Sequence, residues 1–114
     1  MDRAGVGKVC LALPAATLDH PFGDDHDAYR LGGKMFCMVG GRGGISFKVS
    51  DIAYEVLTED GRARPAPYMA RYKWVNLPRI DDWPDEELAE HLAIAHSIMA
   101  AKLTRKARKE LGLD

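Results

Sequence analysis

No run of apolar residues in this chain approaches the roughly 20 that a membrane-spanning helix needs. Cysteine is scarce: Cys10 and Cys37 are the only two, each among apolar neighbours. That setting points to free buried thiols in a reducing cytosol, not to a disulfide framework. Charge of one sign is lacking too. Sixteen Lys and Arg face 17 Asp and Glu, a formal net charge of −1, so there is no global attraction to nucleic acid and any such case must be local. The opening "MDRAGVGKVCLALPAA" has no basic segment leading into a long apolar one, so no secretory leader is expected. Together these absences describe one soluble, cytoplasmic domain over residues 1–114, and its 46% hydrophobic content is enough for a core without metals or disulfides.

Catalytic patterns are equally scarce. Ser46, Ser50 and Ser97 have no GxSxG context. "GGRGG" at 40–44 runs into a strand, whereas a phosphate-binding loop runs into a helix. His91 and His96 lie five apart, on different faces of a helix, and make poor joint ligands. The reading is non-enzymatic, with no catalytic residue, no cofactor and no assigned metal site. The loop "DHPFGDDHD" at 19–27 collects four aspartates and two histidines, and so leaves a metal-binding module through Asp24, Asp25 and His26 as a third hypothesis. Its Phe22 is expected to fold onto the core as an aromatic lid.

What is present is mostly periodic. Val6, Val9, Cys10 and Leu13 have helical spacing that ends before Pro14, and the polar, turn-rich "ATLDHPFGDDHD" at 16–27 reads as a loop. Residues 28–49 read as a three-stranded meander, with a Gly32-Gly33 hairpin turn and a looser turn at 40–44. In it, Met35 to Val39 form a strand covered on both faces, and Ile45, Phe47 and Val49 alternate with exposed Ser46 and Lys48. Ser50 caps a helix over 51–60 with Ile52, Val56 and Leu57 facing inward, ended by Gly61. Pro65 and Pro67 exclude regular structure from the next stretch, and "KWVNL" is a strand that stops at Pro78. Pro84 and three acids open a long helix with the stripe Leu88, Leu92, Ala95, Met99 and Leu103; Thr104 offers a cap for a separate last helix. Val9, Leu13, Met35, Phe36, Phe47, Val49, Trp74, Leu92 and Met99 are expected in a single core.

The most informative local feature is blocked charge. Residues 28–50 and 61–80 carry bases and no acid, while acids gather at 19–27, 51–60 and 81–90. Two readings stay open. The bases can form a face that holds phosphates, with Tyr68, Tyr72 and Trp74 near it, or they can simply pair with the acidic blocks. Under the first reading Arg42, Lys48, Arg62, Arg64, Arg71 and Lys73 are the nucleic-acid contacts, and Trp74 braces the sheet.

In order along the chain, "CLALPAATLDHPFGD", "YRLGGKMFCMVG", "ISFKVS", "PAPYMARYKWVNL", "PDEELAEHLAIAHSIMAAKL" and "TRKARKEL" resemble the MmcQ/YjbR family. The "GKMF" strand, the "YM…W" segment and the helix end at Lys102-Leu103 are the most specific parts. Thr104 departs from the family's usual proline, which leaves the break in the last helix open. The resemblance implies an α+β, CyaY-like (frataxin-like) two-layer domain, an antiparallel sheet packed against N- and C-terminal helices. It also implies DNA as partner, with the hairpins as a double wing, and no catalytic motif to carry over. The alternative, from another class, is a protein- or small-ligand-interaction module using the pocket between sheet and helices.

Overall fold

The computed structural model describes residues 1–113. Helix α1 (Arg3–Leu11) leads into strands β1 (Thr17–Asp19), β2 (Asp27–Leu31), β3 (Lys34–Val39) and β4 (Ile45–Lys48). Helix α2 (Asp51–Glu59), strands β5 (Arg64–Pro65) and β6 (Trp74–Leu77), and helices α3 (Asp85–Ala101) and α4 (Arg105–Glu110) follow. The strands form one antiparallel sheet in the order β1-β2-β3-β4-β6-β5.

Local chemistry explains most boundaries. Gly32 and Gly33 both have positive φ, as a type I′ hairpin turn requires, and so set the β2–β3 register. Ser50 caps α2 by accepting from the Ala53 amide at 3.1 Å, and Gly61, at φ 77°, follows its last turn. Thr104 accepts from the Ala107 amide and starts α4 as a separate helix.

The pleat sends alternate residues to opposite faces. Tyr29, Cys37, Phe47 and Val75 lie side by side across β2, β3, β4 and β6. They face α1 and α3, which bury Val6, Cys10, Leu88, Leu92 and Ala95 against them. Phe47 sits edge-on to Trp83 and His91, with ring centroids 5.6 and 6.1 Å away. The opposite face carries Met38, Ser46, Asn76 and Arg64 in adjacent register. The connector between β5 and β6, residues 66–73, runs over that face.

Several expectations change. Residues 17–19, read as loop, form the edge strand β1, and Arg64–Pro65 pair with β6 despite the prolines. Pro65 is tolerated because β5 is an edge strand. On α2 only Leu57 is buried; Ile52 is 78% and Val56 53% exposed, because the helix meets the β5–β6 edge through Leu57, Ala53 and Tyr54. Phe22 is 58% exposed and covers nothing. Ser46 and Lys48 are buried, since the connector covers the face they were expected to expose to water. Phe36, Phe47, Val49 and Leu92 are in the main core, and Val9, Leu13 and Met99 pack half-buried against it. Trp74 is buried outside that cluster, and Met35 is half-buried beside a cleft on the second face.

Candidate nucleic-acid interface

The sheet face away from the helices, crossed by the connector, is where the expected contact residues have to be placed. Asn76, polar in an otherwise apolar strand, organises its floor. Its amide donates to the Ser46 hydroxyl at 2.9 Å and the Ile45 carbonyl at 3.2 Å, and its carbonyl oxygen accepts from Arg64 Nε at 2.7 Å. Arg64 thereby lies along the sheet with the rest of its fork exposed. Across the floor, the glycine turn holds Arg42 in solvent. Arg42 and Arg64 line one cleft of about 470 Å³, roofed on one side by Pro67, Tyr68 and Met69. Asp25 and His26 stand at its far rim, and the His26 ring lies 2.8 Å from the Asp25 carboxylate and holds that carboxyl below its usual range.

The connector itself is tightly folded. The Met69 amide donates to the Ala66 carbonyl, closing a turn with Pro67 at its second position and Tyr68 at its third. Tyr68 has φ 66° and is 99% exposed. A type II turn keeps that third position for glycine, so this tyrosine is held against its backbone preference with its ring in water. Arg71 lies 4.8 Å from the Tyr72 ring, and Lys73, also at positive φ, places its amine 4.8 Å from the Tyr54 ring.

Two of the six expected contacts fall out of this surface. Lys48 is 6% exposed, and its Nζ donates to the Tyr72 carbonyl at 2.5 Å. Burial, then the charge of Lys102, pull its pKa below the ordinary lysine range; Asp51 opposes them and Lys73 adds to them. Arg62 is ion-paired with Glu87 and stacked over Trp83, whose indole N–H donates to the Arg62 carbonyl. That pairing holds the Glu87 carboxyl down. Arg3, Arg30 and Arg79 are likewise paired, with Asp27, Asp19 and Asp81. So pairing accounts for part of the segregated charge. Arg42, Arg64, Arg71 and Lys73 have no carboxylate within ion-pair distance among the described residues.

The other candidates are distributed differently. In the acidic loop, Asp27 is buried and accepts both arms of Arg3 at 2.6 Å and His20 at 3.0 Å. Its neighbours Asp19 and Asp25 have their own partners, Arg30 and His26. No group of three His, Cys, Asp or Glu converges among the described residues. Cys10 and Cys37 are free, fully buried and adjacent, and burial raises the Cys37 thiol well above its ordinary range, away from reactivity. His96 reaches the Pro14 carbonyl at 2.7 Å, whereas neither ring nitrogen of His91 has a hydrogen-bond partner among the described residues. Lys102, at the end of α3, is not among the expected contacts, yet it lines a second cleft with Lys48. No helix among the described residues is long and apolar enough to cross a membrane.

A six-stranded antiparallel sheet with helices packed on one face, and a basic polar connector folded over the other, defines a small α+β domain. The chain matches the YjbR family model over residues 11–98 and belongs to that family. It is 28% identical over 89 residues to "Uncharacterized protein YbdF" of Escherichia coli O157:H7, covering 75% of this chain and 69% of that protein. The solved structure of Deinococcus radiodurans protein DR2400, a DUF419 domain, superposes with a TM-score of 0.83 at 25% identity, over 96% of this chain and 86% of that one.

Proposed function

We propose that this protein is a non-enzymatic module that binds nucleic-acid phosphates along the sheet face its helices leave uncovered. The observation that carries this is the distribution of unpaired cations. Arg42 and Arg64 line the cleft of that face, and Arg71 and Lys73 sit on the connector beside the Tyr72 and Tyr54 rings, while Arg3, Arg30, Arg62 and Arg79 are neutralised by carboxylates. Tyr68 and Tyr72, 99% and 55% exposed, give the same connector two rings for stacking on bases. The β2–β3 and β3–β4 hairpins take the place of two wings. The sheet backed by α1 and α3 supports a CyaY-like reading of the fold.

The contact set is thus narrower than the sequence implies: Lys48 and Arg62 drop out. Fluorescence anisotropy with a labelled DNA duplex, at about 50 and 200 mM salt, tests this. Each neutralised phosphate contributes a logarithmic salt slope of about −0.9, so four contacts weaken binding by about two orders of magnitude over that range. Arg71→Ala/Lys73→Ala should flatten the slope by about two units, and Arg62→Ala should leave it alone. Equal slopes for wild type and the double variant would remove the proposal.

A further inference from the structure

A second cleft, about 210 Å³, lies at the end of the same face, where β4 and β6 meet the last turn of α3. Met35, Met69, Met99 and Trp74 supply apolar walls, and Lys48 and Lys102 supply charge. The chemistry is unusual for a core site. Lys48 is buried, and one of its three N–H groups goes to the Tyr72 carbonyl. The other two have no acceptor, and no carboxylate lies within ion-pair distance, among the described residues. An ammonium partly withdrawn from water with no ion-pair partner is disfavoured, and a second lysine in the same cleft adds repulsion. Asp51 is the carboxylate that opposes this, from the start of α2, with Lys73 adding to the positive field. An anion is the missing complement.

The walls say what that anion carries. Methionines beside an indole make an adaptable, polarisable surface suited to an apolar body. The volume falls below the about 300–1,000 Å³ of drug-sized pockets, so the body is small. We propose that this cleft binds a small organic carboxylate, its charge held by Lys48 and Lys102 and its apolar or aromatic body seated among the methionines and Trp74. This goes beyond phosphate binding and does not depend on it.

Amide and methyl spectra of the full chain, titrated with benzoate and with the neutral benzamide, test the proposal. Benzoate should shift the Trp74 indole and the Met35 and Met99 methyl signals saturably, and benzamide should not. Lys102 is exposed, so Lys102→Gln leaves folding intact and should weaken benzoate about tenfold, the loss of one charge-assisted contact. Met99→Trp, which fills the cleft, should abolish the shifts. Benzoate and benzamide acting alike, no saturable shift with benzoate, or Lys102→Gln binding as wild type would each overturn it. So would a short DNA duplex moving the Trp74 signal while benzoate fails to compete, because the cleft would then belong to the phosphate surface.

Discussion

Phe47→Ala tests the packing on which both clefts rest. Phe47 is fully buried, flanked across the sheet by Cys37 and Val75, and its ring meets Trp83 and His91 edge-on. Truncation removes the ring from a filled interior, and losses of about 3–5 kcal/mol are usual for such sites. The upper part applies here, because the neighbours cannot collapse inward: Trp83 is tied by its indole to the Arg62 carbonyl, and the strands on both sides are held in register. A domain of this length has about 6–17 kcal/mol of total stability, so about a quarter or more is at stake. Urea unfolding followed by tryptophan fluorescence measures it directly, since Trp83 touches the deleted ring. The midpoint should fall at unchanged m, and the melting temperature should drop by about 12–20 °C. A drop of only a few degrees would show that Phe47 does not face α3, and the assignment of the two sheet faces would fall with it.

Two further perturbations bear on unusual groups. His91 is held neutral by burial, with Glu87 and Glu90 pulling its pKa up and Arg62 pushing it down. Its folded pKa lies below the unfolded value near 6.5, so the unfolded chain takes up the proton first and stability falls as pH drops below about 6.5. His91→Phe should flatten melting temperature over that window; an unchanged slope would assign the loss to other groups. At Tyr68, glycine suits the positive φ and alanine does not, so Tyr68→Gly should be more stable than Tyr68→Ala by about 1 kcal/mol. Equal stabilities would mean that the turn relaxes without strain.

What was legible in the sequence was whatever periodicity or local chemistry determines. Gly32-Gly33, the Ser50 cap and the stripe from Leu88 to Ala95 each specify their element with little help from the rest of the chain. The failures share a different cause. Strand β1 has no buried residue and owes its existence to pairing with β2, reinforced by the Arg30–Asp19 contact, so no hydrophobic alternation announces it. Ile52 and Val56 are as apolar as Leu57, and only the position of the β5–β6 edge decides which of them it covers. Lys48 follows the polar phase of its strand, but that phase means exposure only when nothing crosses above it. The site suffers most from this blindness. Lys48, Trp74 and Lys102 lie on three elements, and nothing in their spacing brings them together; the sheet order β4-β6-β5 and the course of the connector do so.

The two outermost strands have a bearing on how copies of the molecule meet. β5 is two residues long, and one of them, Pro65, has no N–H to offer. β1 is three residues long and ends on the charged Asp19. Neither side can template a further strand, so lengthening of the sheet from one molecule into the next is blocked at both ends. Assembly, whether between copies or on another macromolecule, is left to side chains on the faces, where the connector and the exposed Ile52 and Val56 of α2 reside.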